Sequence, residues 1–248
     1  MITDFNKIKT FFYNTLPWLF FGNHCRYCNA LITKDEVLCD DCRENLPVIK
    51  GEKCKYCGAE KSRCDCKKHK MGYDGITSPF YYENGIKKCI QLLKFNNKSF
   101  LADVLADDMA DEVKRDFKNV DFDFICFVPF STRQKFARSY NQSELLAEKL
   151  SKKLNVPLKN ILIKLFYTQT QHDMGIRYRK GNVFGVYDVK ENVDVKGKTI
   201  LLVDDVKTTG STLDDCAWIL KIRGAEKVYG VTAALAGHKK TEEKTKEQ

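Results

Sequence analysis

No stretch of the 248-residue sequence approaches the ~20 consecutive apolar residues of a membrane span. The most apolar run near the start, FFYNTLPWLFF, is broken by Asn14 and Pro17. It also lacks a small-residue cleavage site, so it is not read as a signal peptide. There is no G-x4-G-K-[ST] sequence, which argues against an ATP-binding P-loop. No internal repeat occurs beyond pairs of cysteines. Nor is the composition that of a disordered or collagen-like chain, since 43% of residues are apolar and 30% charged. What is abundant is cysteine and positive charge. There are eleven cysteines, most of them between Cys25 and Cys66, and the formal net charge is +9. A secreted disulfide scaffold would spread its cysteines and be much shorter. The expected compartment is therefore the cytoplasm, where clustered cysteines mean metal.

The sequence changes character along its length. Residues 1–24 are apolar and aromatic and are expected to form a short helix packed on the body. Residues 25–70 show little apolar periodicity, and we read 1–70 as one unit, an apolar segment followed by a double zinc ribbon. Residues 71–235 read as an α/β domain, and 236–248 as a frayed tail. Within the domain, Ile86, Cys89, Ile90 and Leu93 fall at helical spacing, as do Leu101, Val104, Leu105, Met109 and Val113. Strands are expected at 122–128, 161–166, 199–205 and 227–235. Leu146, Leu150 and Leu154 mark a helix after Asn141, and Leu213, Cys216, Ala217 and Leu220 mark another that Gly224 ends. Residues 167–183 are polar and aperiodic, as expected of a long loop. This alternation predicts a mostly parallel sheet.

Cys25-x2-Cys28-x10-Cys39-x2-Cys42 contains two knuckles able to place four thiolates tetrahedrally around one zinc ion. A second set follows: Cys54, Cys57, Cys64 and Cys66. Its last pair is a tighter Cys-x-Cys turn, so His24 or His69 remains an alternative ligand, and interleaved pairing of the two sets stays open. A catalytic zinc keeps an open position, whereas two closed four-thiolate sites are structural. Around them, residues 50–70 carry Lys50, Lys53, Lys55, Lys61, Arg63, Lys67, Lys68 and Lys70 against Glu52, Glu60 and Asp65. Either this run is a nucleic-acid patch, or it balances the negative charge of the thiolate sites.

The segment ILLVDDVKTTGSTL (200–213) is the richest in chemistry. An apolar strand delivers Asp204 and Asp205 to its carboxyl end, the edge at which open α/β sheets bind ligands. Lys207, Thr208, Thr209, Gly210, Ser211 and Thr212 then run into a helix, whose N-terminus suits a phosphate. Gly210 allows close backbone approach, and the hydroxyls offer donors. Ser211 with Asp214 also reads as a capping box. Two acids beside a phosphate nest make sense if the ligand brings hydroxyls or a metal ion, as a ribose 5-phosphate unit does.

This segment resembles the phosphoribosyl pyrophosphate motif of type I phosphoribosyltransferases, and the chain more narrowly resembles the ComF family of competence proteins. The N-terminal double zinc ribbon matches Cys25 to Cys66. Lys94-Phe95 matches a helix end of that family. Val128-Pro129, Arg133, Arg138 and Tyr140-Asn141-Gln142 match another stretch, with Ser139 where Gly is usual. Gln171, Met174, Arg179, Asn182 and Val183 match a third, without the arginine usual before that Gln. The resemblance implies a pyrophosphate loop after Pro129 with Arg133 and Arg138 as contacts, and a flexible loop over 167–183. It implies ribose hydroxyls on Asp204 and Asp205, and the 5-phosphate on 208–212. Mg²⁺ would ride on the pyrophosphate and ribose oxygens. It further implies DNA uptake, handling of incoming single-stranded DNA, and partners in the competence machinery.

Two functions of different class follow: a binding protein that uses the pocket as a ligand sensor or nucleic-acid grip, and an active phosphoribosyltransferase. No catalytic residue is assigned, and no base-selecting hood is identified. Tyr56, Tyr73, Tyr81 and Tyr82 would either stack bases or pack. His172 is expected to be an exposed loop residue, and Cys89, Cys126 and Cys216 buried small hydrophobes.

Overall fold

A computed structural model describes residues 23–33, 36–64, 66, 71–95, 99–130, 140–165 and 186–237. In the cysteine segment, regular structure is minimal. Strands β1 (Asn23–His24) and β2 (Leu31–Ile32) pair antiparallel, a short α-helix, α1 (Asp40–Asn45), begins where Cys39 accepts a hydrogen bond from the Cys42 N–H, and a single 3-10 turn covers Lys61–Arg63. The α/β body contains β3 (Gly75–Thr77), β4 (Phe80–Tyr81), α2 (Asn84–Phe95), α3 (Leu101–Asp116), β5 (Phe124–Phe127) and α4 (Gln142–Leu154). It continues with β6 (Leu162–Lys164), β7 (Tyr187–Val189), β8 (Thr199–Lys207), α5 (Ser211–Ile222) and β9 (Lys227–Leu235).

The central sheet runs β3–β9–β8–β5, with β4 continuing along the same edge of β9, and every pair in it is parallel. A parallel sheet is covered on both faces, so its strands are apolar on both. Alternation divides them. Ile125, Phe127, Leu201 and Val203 join the cluster formed by α2, α3 and α4, while Phe124, Cys126, Ile200 and Leu202 join α5, β6 and β7. The helices carry the expected buried stripes, and Cys89, Cys126 and Cys216 are all buried. Asn141 caps α4 by accepting from Ser143 N–H at 3.0 Å.

Several expectations needed adjustment. β8 runs to Lys207, two residues past its expected end, because β9 alone continues beside it. The strand expected at 161–166 is short and pairs antiparallel with β7 outside the main sheet. The fragments β3 and β4 are too short to show periodicity, and pairing with β9 defines them. Residues 1–22, the loop at 167–183 and the tail from 238 lie outside the described residues. Among those described, no helix is long and apolar enough to cross a membrane.

Candidate functional site

Each cysteine set gathers in sequence order, without interleaving. Cys25, Cys28, Cys39 and Cys42 form one cluster and Cys54, Cys57, Cys64 and Cys66 the other, with the sulfurs of each set within 4.8 Å of one another. Cys28–Cys39 and Cys54–Cys66 stand 3.5 Å apart and Cys57–Cys64 3.6 Å. Four thiolates at about 2.3 Å from one ion would lie roughly 3.8 Å apart, so both sets fit a tetrahedral metal. The electrostatics agree. Burial pushes the Cys25 thiol up, but N–H groups of Cys28, Cys39 and Tyr27 outweigh it and bring it to about 6. Its neighbour Cys42 is pushed well up, first by burial and then by the other sulfurs. In the second set, burial is likewise outweighed at Cys54, which falls to about 7, while Cys57 rises to about 12, again chiefly through burial. Four adjacent sulfurs cannot all be anions without a cation among them. His24 joins neither cluster, and His69 lies outside the described residues.

The second site is the end of β8. The two acids reach different helices, Asp204 meeting α4 and Asp205 meeting α2. Asp205 Oδ2 meets Lys94 Nζ at 2.8 Å. Asp204 Oδ1 accepts from Ser143 Oγ at 2.8 Å and from Asp205 N–H at 2.9 Å. Burial, then the charge of Asp205, pushes the Asp204 carboxyl up to about 7 against these donors and Lys94. Gly210 turns the chain with φ +86°, and a Cβ there would stand 2.9 Å from Lys207 Cε. Lys207 is only 5% exposed, and burial holds its ammonium below the ordinary range although Cys57, Cys66 and Cys54 lie within electrostatic reach. Thr208, Thr209 and Ser211 are exposed, with the Thr209 and Ser211 hydroxyls 2.8 Å apart. Thr212 is half-buried and lies close enough to Tyr187 to act on its hydroxyl. The capping-box reading fails: Gly210 is the cap, and Asp214 accepts from Gly72 N–H at 2.6 Å. Thus the structure joins the acids to the 207–212 loop, while Arg133 and Arg138 lie outside the described residues.

Two residues that sequence reasoning missed surround the acids: Ser143, in the first turn behind the Asn141 cap, and Tyr187. A third, Lys94, was legible only as a motif. The lysine run also resolves differently from either expectation at Lys53. That ammonium is buried, pairs with Glu112 and with Asp116 at 3.2 Å, and donates to Ser78 O at 2.7 Å. It therefore neither faces solvent nor touches a thiolate. Tyr73 and Tyr81 are buried packing groups, and the Arg63 guanidinium lies 4.3 Å from the Tyr81 ring centroid.

A family model described as phosphoribosyl transferase domain matches residues 141–247, which include the acids and the loop after them. Competence protein F of Haemophilus influenzae is 30% identical over 87% of this chain and 99% of its own length. The DNA utilization protein YhgH of Escherichia coli is 28% identical over 82% of this chain and 86% of its own. Competence protein ComFC of Bacillus subtilis is 26% identical over 78% and 82%. A match that runs through both the cysteine segment and the parallel sheet, end to end in the first relative, makes this chain a member of the competence protein F (ComF) family, with a phosphoribosyltransferase-type α/β domain behind two four-cysteine sets.

Proposed function

We propose that this chain binds phosphoribosyl pyrophosphate with Mg²⁺ at the end of β8 and handles single-stranded DNA during DNA uptake, with a structural zinc ion in each four-cysteine set. The observation that carries the pocket reading is the pair Asp204–Asp205 followed at once by the Gly210 turn into α5. The acids suit the vicinal hydroxyls of a ribose, and the loop with the helix N-terminus suits its 5-phosphate. Mg²⁺ would neutralise the pyrophosphate charge while remaining largely hydrated. Arg133 and Arg138 are the proposed pyrophosphate contacts. The DNA role draws on the names of the relatives, competence protein and DNA utilization protein, together with the +9 charge. Calorimetry tests the pocket: the wild type should bind phosphoribosyl pyrophosphate with Mg²⁺ better than unrelated anions. The double variant Asp204→Asn, Asp205→Asn should lose that preference. Equal affinity of the wild type for all anions would end the reading.

One observation favours a second reading, an active phosphoribosyltransferase on an unidentified acceptor base. The Asp204 carboxyl, at about 7, has the proton affinity useful for moving a proton at neutral pH. Exchange of labelled pyrophosphate into phosphoribosyl pyrophosphate across a panel of bases separates the two, since a binder gives none.

A further inference from the structure

Helix α2 touches both sites. Its first turn rests on the first cysteine set, where a Cβ on Gly85 would stand 2.6 Å from Cys42 Sγ and 4.0 Å from Cys28 Cβ. The preceding residue, Asn84, donates its side-chain amide to Asn45 O at 3.0 Å, tying the helix start to the end of α1. The last turn carries Lys94, 2.8 Å from Asp205 Oδ2, with the two side chains only 17% and 13% exposed. Between these ends Ile86, Cys89, Ile90 and Leu93 are fully buried, so the helix has little room to pivot. At 1.5 Å per residue the span from Gly85 to Lys94 is about 14 Å. A packed helix fixed at both ends is the kind of physical element through which two sites bias each other.

We propose that α2 is a strut coupling the first four-cysteine site to the acidic pair, with Lys94 as the positioning residue that holds Asp205. The proposal rests on the reading of that pair as the ribose site. A metal ion would draw Cys42 and its partners into one geometry, and the seat of Gly85 would be set by it. Loss of the metal frees the first turn of α2 and, through its buried face, the position of Lys94. Coupling of this kind is reciprocal, so phosphoribosyl pyrophosphate must also tighten metal binding.

Among the described residues, Lys94 is the cation that acts on Asp204, and Lys164 of β6 acts on the neighbouring Cys216. The other groups beside Asp204 include Asp205 on the same strand, Ser143 from α4, Tyr187 from β7 and Cys216 from α5, with Asp215 acting on the last two. Removing the ammonium raises the proton affinity of Asp204 further. A carboxylate that must be ionised to accept ribose hydroxyls then works only at higher pH.

The test uses the full, metal-loaded chain as wild type, Lys94→Met, Lys94→Arg and Gly85→Ala. For Lys94→Met, the acid limb of phosphoribosyl pyrophosphate binding should move up by about one pH unit, and Lys94→Arg should restore most of the loss. In the wild type, phosphoribosyl pyrophosphate should raise the affinity for one metal equivalent, read by equilibrium competition with a colorimetric chelator, by about fivefold or more; in Lys94→Met it should not. Gly85→Ala should weaken both metal retention and binding. Without ligand, stripping the metal should speed amide exchange at residues 91–95 and 204–206. An unchanged pH profile in Lys94→Met overturns the proposal. So does exchange at 204–206 that ignores metal loss. If the wild type binds no phosphoribosyl pyrophosphate, the ribose reading falls by itself, and the exchange measurement alone decides the coupling.

Discussion

Lys53 stands in a dense run of positive charge yet lies only 6% exposed at its side chain, against Glu112 at 9%. It joins the cysteine segment to α3 and β3 through Glu112, Asp116, Thr77 and Ser78. Removing Lys53 leaves Glu112 with only the half-exposed Arg115 as its cation, so Lys53→Met should lower stability by about 2 kcal/mol in urea unfolding. Burial already raises the Glu112 proton affinity, and loss of Lys53 raises it again. The folded state then holds a proton that the unfolded state has lost over the intervening pH range. The deficit should therefore be greatest near neutral pH and shrink as acid protonates Glu112. A deficit that grows in acid would contradict this. Gly210 is constrained differently. Its positive φ and the closeness of Lys207 mean that Gly210→Ala should cost about 1–2 kcal/mol, and calorimetry should show weaker phosphoribosyl pyrophosphate binding.

At the scale of elements, the cysteine segment and the sheet differ in what can hold them. Residues 23–66 have two-residue strands and a six-residue helix, too little for either to persist alone. Their apolar residues are borrowed: Ile49, Cys57 and Ala59 pack against Tyr81 and Leu235 of the body. Metal binding in such a segment is folding free energy. Cys25→Ser, or chelation of the metal, should thus raise amide exchange across 23–66 while β5, β9 and the 199–203 stretch of β8 keep their protection. The surviving strands are central or fully buried, so equal loss throughout would show that the segment is not separately metal-dependent. By the same reasoning, elemental analysis should find about two zinc ions per chain, and a value near zero would remove this account.

For the whole molecule, charge sets the DNA prediction. Two filled four-thiolate sites would lower the net charge from +9 but leave it positive. Single-stranded DNA should bind without strong sequence preference, with affinity falling on a log–log salt plot by about 0.7 per phosphate contacted. Lys53 must be left out of any test of contact, since its ammonium is already committed. Lys55, Lys67 and Lys68 replaced together by Ala should flatten the slope if they meet phosphates. An unchanged slope together with weaker metal retention would assign them to thiolate balance instead. Failure of the wild type to bind single-stranded DNA at low salt would leave the pocket as the basis of function.

Local pattern was enough for much of this. Knuckle spacing singled out the cysteines, helical and strand periodicity set most of the elements, and an apolar strand ending in Asp204-Asp205 before a hydroxyl-rich glycine turn marked the site. These features are legible because their causes act within a few residues of chain: ligand spacing, side-chain alternation, permitted φ. Other features depend on contacts between distant residues, and those only the tertiary structure decided. The two-residue strand β4 exists because β9 offers it a register. The cysteine sets stay in sequence order because each closes its own cluster. Ser143 reaches Asp204 across 61 residues, and Lys53 reaches Glu112 across 59. Burial is a property of the assembled layers, so whether a lysine in a basic run meets solvent, a thiolate or a carboxylate was settled by packing alone.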